Sequence, residues 1–177
     1  MFNRTDILVV IDMQANFDAA NNPKLIANVQ REVRSAMARN KAIIFLEYEG
    51  LEYDLTPLAK THEELTKIVA GYKNTYTIGK SENDGSREVR KATWALEIYP
   101  TTLTLVGVNK GACVAETATG LAFIYSDVPI NIIEEACGCH DCHDCRPDCC
   151  GWFDVLPNIP NVNLYQNSAS NVCMIST

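Results

Sequence analysis

The sequence predicts an α/β fold of three layers, a six-stranded and mainly parallel sheet with helices on both faces, and two patterns carry that expectation. Short apolar runs rich in β-branched residues recur along the chain, and stretches with helical periodicity lie between them. Such alternation requires right-handed crossovers, which cover both faces of a parallel sheet.

The first strand is Ile7 to Ile11, an apolar run that ends in Asp12. Pro23 to Arg39 follows as a helix: proline suits the first turn, and Leu25, Val29, Val33 and Met37 recur at fourfold spacing to make one apolar face. Ala42 to Leu46 is the second strand, and Pro57 to Ala70 repeats the helical logic with Leu58, Leu65, Ile68 and Val69. Thr75 to Ile78 is the third strand, Ser86 to Leu96 a helix, and Leu103 to Val108 the fourth strand. Ala112 to Tyr125 is small and apolar enough for a buried helix, and Ile130 to Ile133 and Val162 to Tyr165 complete the sheet. Pro147 marks the first turn of a further helix running to Leu156.

A chain of 177 residues, 47% of them hydrophobic, supports one domain spanning 1–177. The formal charge of -7, with no basic stripe, argues against nucleic acid or an anionic membrane as the main partner and for a small-molecule substrate. The N-terminal apolar run is too short for a signal peptide, and no stretch is long enough to span a bilayer. Eight cysteines without a signal read as reduced thiols in a cytoplasm.

In a parallel sheet, sites lie beyond the carboxyl ends of the strands. Asp12 follows Ile11, Lys80 follows Ile78 and Gly79, and Cys113 follows Val108 and a turn, so the topology should bring the three together. Each has an ordinary structural explanation: a strand-end Asp caps turns, a Lys is usually solvated, and a Cys that starts an apolar helix is usually core. Together they supply a nucleophile, a base and a cation. A thiol with an ordinary pKa of ~8.5 needs help to ionise. Lys80 offers a positive charge, the start of the Ala112 helix offers unpaired N–H groups, and Asp12 offers a proton acceptor. Lys73 and Lys110 are rivals for the cation, but Lys73 precedes its strand.

The run Leu8-Val9-Val10-Ile11-Asp12-Met13-Gln14 with Phe17, and the run Leu105-Val106-Gly107-Val108-Asn109-Lys110-Gly111-Ala112-Cys113-Val114, resemble the isochorismatase-like cysteine hydrolases, from the first strand to about Ala136. The resemblance implies a Rossmann-like hydrolase with Asp12, Lys80 and Cys113 as its catalytic triad. It also implies an oxyanion hole made by the backbone N–H groups of Asn109 and Cys113, and a cis peptide between Val108 and Asn109. The expected reaction is cleavage of an amide or carbamoyl C–N bond through a thioester, with no cofactor. Relatives generally associate, so a dimer or larger is implied. Lys110 stands where relatives often carry Thr-Asp. Nicotinamide-hydrolysing relatives hold a metal with an Asp and paired histidines after the second and third strands; this chain has Glu47, Tyr48, Glu49 and only His62 nearby, so that substrate is disfavoured. Phe17, Glu47 and Tyr48 are candidates to line the pocket.

The segment 137–150 holds six of the cysteines. Cys139, Cys142, Cys145 and Cys149 have the C-x2-C-x2-C-x3-C spacing of an iron-sulfur ligand run, and His140 and His143 add zinc ligands. The run lacks the proline that usually follows the fourth cysteine. A metal-binding or thiol-redox sensor on a hydrolase scaffold is therefore the rival reading, and an inactive scaffold serving as an interaction module is a third.

Overall fold

Among the described residues six strands form where the six apolar runs lie, and each pairs with its neighbour in parallel. They are β1 (Asn3–Ile11), β2 (Ala42–Tyr48), β3 (Thr75–Lys80), β4 (Ile98–Gly107), β5 (Ile130–Cys137) and β6 (Val162–Tyr165), in the spatial order β3-β2-β1-β4-β5-β6. The computed structural model describes residues 2–50, 57–139 and 153–165. Chain order reverses between β1 and β4, which makes the crevice at their carboxyl ends the natural place for a site.

Alternation along each strand builds the layers. Ile7, Val9 and Ile11 face one side of β1 and Leu8 and Val10 the other, yet all five are buried, so both faces are covered. On one side, α1 (Pro23–Ala38) packs Val29, Val33 and Ala36 against Leu8, Val10, Ile43 and Phe45. On the other, α3 (Ser86–Ala95) and α4 (Ala115–Ile124) pack Val89, Ala92, Ala118 and Leu121 against Ile7, Val9, Ile44 and Leu105. Each fully buried Val, Leu or Ile stabilises the fold by about 1.5–3 kcal/mol.

Local chemistry sets the ends of α1. The Asn22 side chain accepts hydrogen bonds from the Lys24 and Leu25 N–H groups, and Pro23 occupies the first turn. At the other end Asn40 turns left-handed (φ 52°), and the N–H groups of Asn40 and Lys41 return to the carbonyls of Met37 and Ala36. In β4 a bulge skips Thr101, whose hydroxyl donates to Asp6 Oδ1 at 2.6 Å. Pro100, just before it, lies ahead of the point where β5 joins at Leu103, so its missing N–H interrupts no ladder on that side.

Two expected helices differ from what forms. Of Pro57 to Ala70, only Glu63–Thr66 is helical (α2). Tertiary hydrogen bonds override the periodicity before it: Thr61 pairs antiparallel with Gln14, Gln14 Nε2 donates to the Ala59 carbonyl, and the Ala59 N–H donates to Asn16 Oδ1. Of the helix expected from Pro147 to Leu156, the described part forms as a 3-10 helix, Phe153–Asn158, containing Pro157; 147–152 lies outside the described residues. Among the described residues no helix is long and apolar enough to cross a membrane.

Gly107 lets β1 and β4 approach where the site begins. Its φ is 134°, and a Cβ there would stand 2.1 Å from the Ile11 carbonyl oxygen. Gly107→Ala is therefore expected to cost about 3 kcal/mol, from backbone strain and from the clash with main-chain atoms that have no room to yield. Urea unfolding measures it; a loss below about 1 kcal/mol would contradict the close approach.

Candidate active site

Strand ends position the three sequence-marked residues. Asp12 follows the last residue of β1 in the left-handed region (φ 51°), and its N–H donates to the Leu46 carbonyl at 3.0 Å, which ties the turn to β2. Lys80 is the last residue of β3. Cys113 lies in a π-helical turn, Lys110–Val114, that runs directly into α4. The expected helix start at Ala112 is thus moved back to Lys110, and the thiol sits inside the wide first turn.

The structure brings these side chains together out of solvent. Lys80 Nζ stands 3.0 Å from Asp12 Oδ2, and both side chains are 0% exposed. Lys80 Nζ also donates to the Glu82 carbonyl at 3.0 Å and lies 4.7 Å from the centre of the Tyr48 ring. Besides Lys80, the Cys113 thiol and the Tyr48 main chain lie within hydrogen-bonding reach of the Asp12 carboxylate. Burial pushes the Asp12 carboxyl above its ordinary 3.8 and outweighs the lowering by Lys80.

The thiol behaves differently from the sequence expectation. Burial, and then the neighbouring Asp12 charge, push Cys113 up to about 12, ahead of the opposing Lys80. The cation is outweighed, and the balance favours the protonated thiol. Its S–H donates to Asn83 Oδ1 at 3.6 Å, and Asn109 Nδ2 donates to Sγ at 3.8 Å.

The expected cis bond between Val108 and Asn109 is absent; the described residues contain no cis peptide. Asn109 makes the turn itself, with φ 61° and ψ 56°, a left-handed conformation asparagine tolerates. Its carbonyl accepts the N–H groups of Ala112 and Val114, at 2.9 and 3.2 Å.

Of the candidate pocket residues, Phe17 and Tyr48 meet edge to face with ring centres 6.4 Å apart. The Glu47 oxygens are both engaged: Oε1 accepts from the Thr61 N–H and hydroxyl at 2.9 Å, and Oε2 pairs with Lys60 Nζ at 3.1 Å. Gln14, part of the motif after β1 but given no role from sequence, holds Tyr48 by both backbone groups, accepting its N–H at 2.7 Å and donating to its carbonyl at 3.1 Å. Asn83 was missed as well, although it stands only three residues after Lys80.

No group of three His, Cys, Asp or Glu side chains suited to a metal occurs among the described residues. Both Glu47 oxygens, near the end of β2, are committed to Thr61 and Lys60, and residues 51–56 that follow lie outside the described residues. Of the possible iron-sulfur or zinc ligands, Cys139 follows β5, while Cys142, Cys145 and Cys149 lie outside the described residues.

Solved structures with the same architecture include N-carbamoylsarcosine amidase from Thermoplasma acidophilum, at TM-score 0.67 and 16% identity, over 92% of this chain and 96% of that one. Pyrazinamidase of Pyrococcus horikoshii in complex with zinc aligns at TM-score 0.67 and 17% identity, over 92% and 99%. MAR1 ribonuclease from Caenorhabditis elegans aligns at TM-score 0.67 and 18% identity, over 92% and 77%. At such identities the likeness shows the fold. No curated protein matches the sequence. The isochorismatase domain family matches residues 6–144, a span that takes in the ends of β1, β3 and β4 with Asp12, Lys80 and Cys113, and the chain belongs to that family.

Proposed function

We propose that the protein is a cysteine hydrolase that cleaves the amide or carbamoyl C–N bond of a small molecule. The carrying observation is the fully buried Asp12–Lys80 pair, 3.0 Å apart, beside the buried Cys113 thiol. Two of the three structural neighbours named above are amidases by name, which supports the reaction class. The ribonuclease supports it less: a chain of net charge -7 is poorly matched to a polyanion.

The thiol passes its proton to Asp12 as Sγ forms a bond to the substrate carbonyl carbon. With Cys113 at about 12, the thiolate exists only as attack proceeds, and an Asp12 carboxyl raised by burial is better matched to receiving the proton. The N–H groups of Asn109 and Cys113 receive the oxyanion. Asp12 returns the proton to the departing nitrogen, the C–N bond breaks, and a thioester remains. A water then gives its proton to Asp12 and attacks the thioester; the C–S bond breaks, the acid is released, and Asp12 returns the proton to Sγ to restore the thiol. Lys80 holds the carboxylate in place and balances its charge. Phe17 and Tyr48 line the pocket, Glu47 braces the segment beside it, and no cofactor takes part.

In the same reading the enzyme is cytosolic and a dimer or larger. Trp94 and Phe123, 68% and 90% exposed on the touching helices α3 and α4, support association.

Ammonia release from a panel of primary amides and ureido compounds tests the reading. Turnover needs Asp12 ionised, so activity falls as pH drops through its pKa. Because burial raises that pKa, the acid limb of kcat/KM is expected above 3.8, the ordinary Asp value. Absence of ammonia across the panel, or a limb at or below 3.8, would count against it.

A further inference from the structure

The Cys113 sulfur lies between two side-chain amides, with an oxygen on one side and an NH2 on the other. Asn83 Oδ1 accepts the S–H at 3.6 Å, and Asn109 Nδ2 donates to the sulfur at 3.8 Å. Only a fixed amide makes the first contact meaningful, since a flipped Asn83 would turn its NH2 toward the sulfur. Glu116 fixes it: Asn83 Nδ2 donates to Glu116 Oε1 at 3.0 Å. A carboxylate accepts and cannot donate, so the flipped amide would set oxygen against oxygen. The loop carrying Asn83 is itself held, because Thr117 Oγ1 donates to the Asn83 carbonyl at 3.3 Å and accepts the Gly85 N–H at 2.9 Å. Glu116 sits three residues after Cys113, one turn along the same run of helix.

We propose that Glu116 and Asn83 are a positioning pair, in which Glu116 orients the Asn83 amide so that its oxygen holds the Cys113 S–H in the resting site. The pair keeps the sulfur protonated and aimed until the proton passes to Asp12. This rests on Cys113 being the nucleophile, and it goes beyond that assignment by naming what governs the thiol at rest.

Other charges face the same sulfur and must be separated from the pair. Asp12 from the end of β1, which is also a hydrogen-bond acceptor for the thiol, and Lys80 from β3 are its charged neighbours. Asp84 caps the first turn of α3 through the Ser86 N–H, and Lys110 lies 3.2 Å from Glu134. Replacing Glu116 also removes a negative charge at a distance, which by itself favours a thiolate.

The test is a double-mutant cycle read on the thiol: the pH dependence of Cys113 labelling by iodoacetamide, followed by peptide mass spectrometry, in wild type, Glu116→Gln, Asn83→Ala and the double variant. Glutamine can donate, so it frees the Asn83 amide to turn its NH2 to the sulfur. Glu116→Gln is expected to speed labelling at mildly alkaline pH about tenfold in the wild-type background and less than about twofold in Asn83→Ala. Equal acceleration in both backgrounds would make Glu116 a distant charge and overturn the pair. Turnover plays no part in this readout, so a protein that hydrolyses no amide yet shows the unequal effect would support the pair and overturn the hydrolase reading.

Discussion

Cys113→Ala is expected to lower amide turnover by about 10⁴-fold or more, because every bond made or broken in the proposed route passes through that sulfur. The fold should survive. The side chain is 2% exposed, and losing one sulfur atom from a site already lined by polar groups leaves a small void of the kind that costs about 1–2 kcal/mol. The prediction is thus a separation: ammonia release disappears while thermal unfolding shifts by a few degrees. Comparable turnover in the alanine variant would require a different nucleophile, such as a water activated by Asp12 alone.

Lys80→Met should be costly for stability, and the cost should depend on pH. Asp12 would remain buried without its counter-ion, and breaking a buried pair from one side costs about 3–5 kcal/mol. The sign follows from the direction of the Asp12 shift. Its folded pKa is already raised above 3.8, so its contribution to stability is full below 3.8 and is lost as pH rises through the folded value. Removing Lys80 deletes the main influence that lowers that pKa, so in Lys80→Met the folded value rises further and the loss grows as pH rises from 3.8 through it. Asp12→Asn in the same chain removes the charge and should recover most of the stability, with the pH dependence flattened. Urea unfolding between acid and neutral pH reads this directly. Equal stability of the single and double variants would mean that Asp12 and Lys80 are not coupled in the folded chain.

Much of the fold is legible in the sequence. The strands declare themselves because a sheet covered on both faces leaves continuous β-branched runs, and Asp12, Lys80 and Cys113 are marked by following such runs. The segment 57–62 was not legible, because its path is set by Gln14, Asn16 and Glu47 from distant parts of the chain rather than by its own apolar spacing. Asn109 gave a turn but not its form: the fold needs a left-handed residue there, and asparagine supplies one without a cis bond. The direction of the thiol's shift was not legible for a related reason. Charges can be read from sequence, whereas the desolvation that outweighs Lys80 depends on how completely α4 and the strand ends close around Cys113. Asn83 and Glu116 carry no local signal that joins them, and only folding sets the amide against the carboxylate.

The central claim is that Cys113 becomes acylated during turnover. Rapid acid quenching of the wild-type enzyme with an amide that releases ammonia, followed by peptide mass spectrometry, tests it most directly. The account predicts the substrate's acyl group on the Cys113 peptide, formed within the first turnover and lost as the acid product appears. Turnover with an unmodified Cys113 at every quench time, undiminished in Cys113→Ala, would contradict it.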